Sequence, residues 1–199
     1  MSGTLPSSPA FNSLTIKSNN PNIVTISTSG RRQVKTQQSQ YWSFVASYPA
    51  MKRSEWAPIA AFVVKQRGAY ESWTVVLPDY SDTNGALNTE SVTVDGNHGI
   101  GDTSITVNGP TTLSGALKAG DFIKFADHNK VYMVTEDVNF SGGGSTINIE
   151  PGLQVAVSTT TAVEYKDVEF TVFLTNDVQE FNTGLAGVVQ YEIEFREAL

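Results

Sequence analysis

Apolar and polar residues alternate along most of this chain, which is the pattern of β-strands with one buried face. Residues 14–17 and 22–27 both alternate in this way, and Asn19-Asn20-Pro21 between them is a turn-forming sequence. The N-terminal pattern therefore predicts two strands that are joined by a turn and pair with each other.

Residues 31–40 also alternate, but almost without apolar side chains, and residues 41–48 follow with one apolar face. Together they predict a long hairpin whose polar tip does not belong to a core. A two-stranded hairpin is only marginally stable by itself, so we expect it to lie on a neighbouring subunit. The expected contact residues are Arg31, Arg32, Val34, Lys35, Gln38, Tyr41, Trp42 and Phe44.

Only residues 51–68 change to the period of a helix. The residues at this spacing are Trp56, Ile59, Ala60 and Val63. Ser54 is a suitable N-cap, and Gly68 is suitable for the position that ends the helix. Residues 72–77 then predict a strand that stops at Pro78.

The middle of the chain consists of short alternating segments separated by Gly-, Asn- and Asp-rich turns. The predicted strands are residues 92–94, 104–107, 121–125, 131–136 and 146–150. Five strands so closely spaced predict a small β-barrel. Its expected core residues are Val107, Leu117, Phe122, Ile123, Val131, Tyr132, Val134, Ile147, Ile149 and Leu153.

Longer strands resume at residues 168–174 and 188–195, and we expect them to pair with strands near the N-terminus. The prediction is a mostly β fold with one short helix. Residues 1–85 and 164–199 would form a core domain, a β-sandwich, and residues 86–163 an inserted OB- or SH3-like barrel.

The net charge of the 199 residues is −7, and it is unevenly distributed. Residues 1–85 carry +4, residues 86–163 carry −5 and residues 164–199 carry −6. This asymmetry suits contacts between unlike patches of two copies, although chance variation of surface charge explains it equally well. An acidic chain disfavours nucleic acid as the main partner. No apolar run is long enough for a membrane helix, and the N-terminus does not resemble a signal peptide, so we expect synthesis in the cytosol and no membrane partner.

Candidate catalytic and metal-binding residues are few. His98 and His128 both stand in loop-like sequence without a nucleophile elbow, which favours surface loop positions over catalysis. The glycines at 96, 99 and 101 do not match a phosphate-binding loop. Glu192 and Glu194 could act as paired carboxylates, but alternate acidic residues on an outer strand face are far commoner.

No cofactor is predicted, and no metal site either. Asp95, Asp102 and Asp127 lack the spacing of a calcium loop, and the chain has no cysteine. We therefore expect a protein that is not an enzyme.

Several aromatic residues could instead stack on a sugar: Tyr41, Trp42, Tyr48, Trp56 and Trp73. All except Tyr41 occupy positions where the pattern requires a core residue, so packing is the favoured interpretation. A carbohydrate-binding module stays an alternative function.

Three motifs in the predicted barrel resemble a known family. They are Leu117-Lys118-Ala119-Gly120-Asp121-Phe122-Ile123-Lys124-Phe125, Val131-Tyr132-Met133-Val134 and Ile147-Asn148-Ile149-Glu150-Pro151-Gly152-Leu153. Together with the order of the elements, they are similar to the distal tail and minor tail proteins of tailed bacteriophages, which combine a tail-tube-like fold with an inserted barrel.

The resemblance implies a structural protein of the virion tail, made in the host cytoplasm. It would form a homo-oligomeric ring, a hexamer, that joins the tail tube to the tip as a baseplate hub. The hairpin would clasp the next subunit, the barrel would face other tail or baseplate proteins, and DNA would pass through the lumen only as cargo. A tail tube protein that forms stacked rings is the alternative within the same fold lineage.

Overall fold

The computed structural model describes residues 3–37, 39–183 and 188–199, and it confirms a mostly β fold with a small closed barrel. In chain order the elements are β1 (Ser13–Asn19), β2 (Asn22–Ile26), β3 (Arg32–Thr36), β4 (Tyr41–Ser47), β5 (Met51–Lys52), α1 (Arg53–Lys65), β6 (Trp73–Val76), β7 (Val92–Val94), β8 (Ser104–Asn108), β9 (Ser114–Leu117), β10 (Phe122–Phe125), β11 (Val131–Val134), β12 (Val138–Ser141), β13 (Ser145–Glu150), β14 (Ala162–Glu164), β15 (Glu169–Leu174), β16 (Asn182–Thr183), β17 (Val188–Gln190) and β18 (Glu192–Glu197).

The chain divides into two compact units. The first, which we call the sheet unit, contains Met1–Asn19, Tyr41–Pro78 and Glu169–Leu199. The second, the barrel unit, contains Asn20–Gln40 and Asp79–Val168. The barrel unit therefore includes the expected insertion together with a segment, Asn20–Gln40, that we had expected in the core domain.

The sheet unit is built on five antiparallel strands in the order β1-β4-β18-β15-β6. The C-terminal strand β18 pairs with β4, and β15 pairs with β6. The predicted pairing of the last strands with N-terminal ones is thus confirmed. A smaller sheet, β16-β17-β5, completes the unit, and β17 and β18 are separate strands where one was predicted.

Aromatic side chains form the centre of the sheet unit. The Phe44 ring lies 5.0 Å from that of Phe195 and 5.1 Å from that of Phe170, measured between ring centroids. Trp73 packs against Phe195 at 5.2 Å. Because these residues come from four strands far apart in sequence, the core holds the head and tail of the chain together.

Helix α1 covers this core through Ile59, Ala60 and Val63, which are buried as their spacing predicts. The expected N-cap was wrong by two positions: the cap is Lys52, and Ser54 lies inside the first turn. The backbone N–H of Lys52 donates a hydrogen bond of 3.0 Å to the carboxylate of Glu55, so the glutamate provides an acceptor for the N–H group at the N-cap. After the helix, Gly68 adopts a φ of 67°, which favours glycine.

The barrel unit contains a closed barrel with the strand order β10-β11-β13-β8-β7-β14. All ten predicted core residues are buried. Phe122 and Val131 are not part of the main apolar cluster, which Leu113, Val138 and Phe140 join instead. Strands β9, β12 and β14, of three or four residues each, were not predicted.

Asp121 of the Gly120-Asp121 motif is almost fully buried and organises the entry to the barrel. Its carboxylate accepts hydrogen bonds from the backbone N–H groups of Lys118, at 2.8 Å, and Asn84, at 2.9 Å. The Thr83 hydroxyl and the Asn84 side chain donate two further bonds. The motif is therefore a structural hub that fixes the segment leading into the barrel.

The N-terminal strand pairing differs from the prediction. Strand β1 pairs with β4, placing Ile16 beside Phe44 and Leu14 beside Ala46, while β2 pairs with β3. Residues 31–40 and 41–48 therefore do not form a hairpin together: β3 pairs with β2, and β4 pairs with β1. The observed pairing wins because it places the apolar residues of β1 against a buried strand, which β2 could not offer.

Candidate functional site

The most exposed secondary structure of the barrel unit is the hairpin formed by β2 and β3. We call residues 22–36, the two strands and their turn, the arm. The turn is closed by a hydrogen bond of 2.9 Å from the Ser27 N–H to the Arg31 carbonyl oxygen, and Gly30 adopts a φ of 77°. Every residue in both strands is exposed, so the arm buries none of its own strand residues.

The two faces of the arm differ in chemistry. The register pairs Val24 with Val34 and Ile26 with Arg32, which places these four side chains on one face. Ile26 is 70% exposed, and Val24 and Val34 are each 50% exposed. The opposite face carries Ile23 as its one large apolar residue. One face of the arm is therefore an exposed apolar stripe, a feature typical of an interaction surface.

The arm is also basic. Asn20–Gln40 contains Arg31, Arg32 and Lys35 and no acidic residue, which gives a charge of +3. None of these three cations forms an ion pair with another described residue. The rest of the barrel unit contains twelve acidic and four basic residues, a charge of −8. A basic apolar arm and an acidic body thus occur in the same chain.

The structure separates the eight predicted contact residues into three groups. Arg31 lies in the arm turn, and Arg32, Val34 and Lys35 lie in β3, all of them exposed. Trp42 and Phe44 are 5% and 1% exposed in the sheet core, so they were wrongly included in a contact surface. The alternating pattern of residues 41–48 already contained this information.

Tyr41 and Gln38 complete the predicted set. Tyr41 is half-buried on the outer face of the sheet, where the Arg196 guanidinium lies 5.2 Å from its ring centroid. Gln38 lies outside the described residues. The predicted surface is thus retained in the arm alone.

The base of the arm is bonded to the barrel through Gln40, which sequence reasoning missed. The Lys130 ammonium donates a hydrogen bond of 2.8 Å to the side-chain oxygen of Gln40. The side-chain amide of Gln154 donates a second bond of 2.9 Å to the Gln40 carbonyl oxygen. Gln40 and Lys130 are each only 3% exposed. No sequence signal marks these residues, because polar loop residues are normally solvated.

This contact continues into the barrel core. The Gln154 backbone N–H donates a bond of 3.1 Å to the hydroxyl of Tyr132, a fully buried residue of β11. The same hydroxyl lies 2.9 Å from Nε2 of His128, whose Nδ1 lies 2.6 Å from a carboxylate oxygen of Asp127. Burial lowers the pKa of His128, and the bond to Asp127 opposes that shift.

The two histidines are partly buried members of hydrogen-bond networks, which corrects the expectation of surface loop positions. His98 bonds through Nε2 to the hydroxyl of Thr106, at 2.9 Å, and to the Asp95 carbonyl oxygen, at 3.3 Å. His128 has Tyr132 and Asp127 as partners, as described above. Both rings therefore fix loops of the barrel.

The remaining candidates have structural positions. Glu192 and Glu194 lie on the exposed face of β18, as their alternation predicts. Trp42, Tyr48 and Trp73 are buried in the sheet unit, and Trp56 is half-buried and stacked on Phe181 at 5.2 Å. These four therefore do not form an open platform for a sugar.

The described residues contain neither a cluster of metal ligands nor a helix that could span a membrane. No three His, Asp or Glu side chains among them lie together as a metal ion would require. The helix found in the same residues is too short and too polar to cross a membrane.

Comparison with known proteins agrees with the architecture. The family model for the N-terminal part of the A domain of distal tail protein pb9 matches residues 4–80, and the model for its B domain matches residues 83–168. The boundary between them falls close to Asp79, where the barrel unit resumes, and the second match ends where that unit ends.

The sequence also aligns directly with that of a named phage protein. Distal tail protein pb9 of Escherichia phage T5 is 31% identical over 150 residues, which cover 75% of this chain and 71% of the relative. The two domain matches together cover residues 4–80 and 83–168, which include parts of both the sheet unit and the barrel unit. The chain therefore belongs to the pb9 family of phage distal tail proteins, and it is a structural protein of the virion tail.

Proposed function

We propose that this protein forms a ring, a hexamer, at the distal end of the phage tail, as the hub that joins the tail tube to the tip. The observation that carries the proposal is the arm, a two-stranded hairpin that exposes an apolar stripe and three cations. Such a hairpin gains stability when another surface covers it. In a protein that works in an assembled tail, the neighbouring copy is the surface always within reach.

Charge supports contact between unlike surfaces. The arm segment carries +3, while the rest of the barrel unit carries −8 and the sheet unit −2. Arms would repel one another, so the arm of one copy should meet a different patch of the next. A contact between two different patches is heterologous, and it closes into a ring when the rotation between copies allows.

The remaining parts of the proposal concern other partners. The acidic body of the chain would repel passing DNA and would not retain it, which suits a conduit. The barrel has an apolar core of its own, and its outer surface would contact peripheral tail or baseplate proteins. The protein acts as structure and not as an enzyme, and its place is the virion tail.

Electron microscopy of purified tails tests the proposal. We expect one ring of this protein at the end of the tube distal to the capsid, and a labelled copy should appear only there. Label along the whole tube would support the alternative of stacked tube rings and refute the hub. A copy number that does not match a closed ring, measured by quantitative mass spectrometry of tails, would contradict ring formation.

A further inference from the structure

We infer that the barrel positions the arm for assembly, through a clamp in which Lys130 and Gln154 hold Gln40 at the base of the arm. The inference rests on the proposed role of the arm in subunit contact. It adds that the arm and the barrel act as one rigid body, so that the direction of the arm is set before the neighbour arrives.

The first argument is that the arm has no other buried support in its strands. All ten residues of β2 and β3 are exposed, whereas Gln40, beyond the end of β3, is 3% exposed. Because its strand residues are exposed, the arm takes its direction from the contacts made near its base. Two hydrogen bonds to different groups of Gln40, its side chain and its backbone, restrict both the position and the rotation of that base.

The second argument is the location of Lys130. Its ammonium donates to Gln40 although the residue is almost fully buried, and burying an ammonium is costly unless polar partners compensate. A lysine on the barrel surface could reach solvent at no such cost. Its burial indicates that the barrel and the arm base are closely packed at this point.

The third argument is that the clamp is anchored in the rigid part of the barrel. Gln154 is held by the hydroxyl of Tyr132, a side chain of the main apolar cluster, and Lys130 directly precedes β11. A narrow cleft beside the clamp is lined by Asn20, Thr36 and Gln40 from the arm side. Gly101, Glu150 and Gly152 line its barrel side. The two parts therefore meet along a surface and not at a single bond.

Distance measurement between spin labels tests the clamp in the isolated protein. The chain has no cysteine, so cysteines introduced at Ser29, in the arm turn, and Ser141, at the end of β12, accept labels without competition. The spin-labelled double-cysteine protein, which we call the background protein, should give one narrow distance distribution when it carries no further substitution. Lys130→Met, which keeps the aliphatic stem but removes the ammonium, should abolish the single narrow peak.

Two further variants serve as controls. Lys118→Met removes a barrel cation whose 2.6 Å ion pair with Asp137 lies outside the clamp, so the narrow peak should persist. Gln40→Glu offers Lys130 a carboxylate and should also keep the narrow peak. Circular dichroism checks that each variant is folded. A broad distribution in the background protein, or a narrow one in Lys130→Met, would overturn the inference.

Incorporation into tails, measured by complementing a phage that lacks the gene, separates this inference from the proposed function. If Lys130→Met broadens the distribution and lowers incorporation, the positioning role is supported. If the distribution broadens but incorporation is unchanged, the clamp exists without a role in assembly, and the inference fails. The distance measurement itself needs no ring, so its outcome does not depend on whether the hub proposal is correct.

Discussion

The apolar stripe of the arm leads to a sharp prediction about assembly, with a matched control on the opposite face. Ile26→Thr replaces the most exposed residue of the stripe, at 70% exposure, and Ile23→Thr makes the same chemical change on the other face, at 50%. Threonine keeps the β-branched shape that suits a strand. The two variants therefore differ mainly in the face that they alter.

The expected magnitude follows from the exposed fractions. Val24, Ile26 and Val34 together expose the equivalent of about 1.7 full side chains, and covering them at about 2 kcal/mol each would stabilise the contact by roughly 3 kcal/mol. Changing all three to threonine replaces part of that apolar area with hydroxyls that an interface must desolvate. We expect a loss of about 2 kcal/mol per contact, roughly a 30-fold weaker association.

Competition between wild-type and variant protein measures this loss. Equal amounts are supplied during tail assembly, and the ratio in purified tails is determined by mass spectrometry. Ile26→Thr should be depleted, the triple variant more so, and Ile23→Thr should match wild type. Because all these residues are exposed, the free energy of unfolding should change by less than about 0.5 kcal/mol in each single variant. Equal depletion of Ile26→Thr and Ile23→Thr, or no depletion of the triple variant, would refute the assignment of the stripe as the contact face.

Three further predictions concern the barrel unit. Asp121→Ala leaves several buried donors without their acceptor and should lower the free energy of unfolding by about 3 kcal/mol, a fall of roughly 6–12 °C in the melting temperature by calorimetry. An unchanged melting temperature would show that Asp121 does not stabilise the entry to the barrel. Gly115→Ala should destabilise by more than about 2 kcal/mol in urea unfolding, because φ is 108° and the new Cβ would clash with the Ala86 carbonyl oxygen. Gly99→Ala should be neutral, because its Cβ would meet only a carboxylate oxygen of Asp102, at 3.9 Å, an ordinary contact distance. The lowered pKa of His128, caused by burial and by Lys124 and Lys130 against the opposing Asp127, means that the unfolded state binds the proton more readily. The contribution of His128 to the free energy of unfolding should therefore be fully present above pH 6.5, the ordinary pKa of histidine, and should decline as the pH falls below that value. His128→Asn should remove this part of the pH dependence when the free energy of unfolding is measured at several pH values.

The sequence predicted much of the fold because its alternating segments are unambiguous. In β4 every second residue is apolar and buried, and in β18 Ile193 and Phe195 follow the same pattern, with Glu197 as a buried polar exception. The helix was equally clear from the spacing of Ile59, Ala60 and Val63. Strands β9 and β14 were not predicted because each has only one buried residue and therefore no alternating pattern of its own; hydrogen bonds to neighbouring strands hold them in place.

The arm shows where local pattern is insufficient. Its residues were recognised as too polar for a core, but residues 31–40 were predicted to pair with residues 41–48 and in fact pair with β2. The alternating pattern shows which face of a strand is buried, but not which strand lies beside it. Trp42 and Phe44 were assigned to a contact surface by their nearness in sequence to Arg31 and Lys35. In the structure the segment passes from the exposed arm to the buried sheet within a few residues.

What the sequence determined by itself is the set of buried faces, since the free energy of removing apolar side chains from water acts wherever those residues stand. It also determined the charge of each segment and, through the barrel motifs, the family. What only the tertiary structure decided is which polar residues become buried partners. Gln40, Lys130 and Gln154 meet from positions more than a hundred residues apart at the extremes, and Asp121 gathers donors from a segment nearly forty residues away. Hydrogen bonds of this kind depend on geometry that the whole fold creates, so no local pattern announces them.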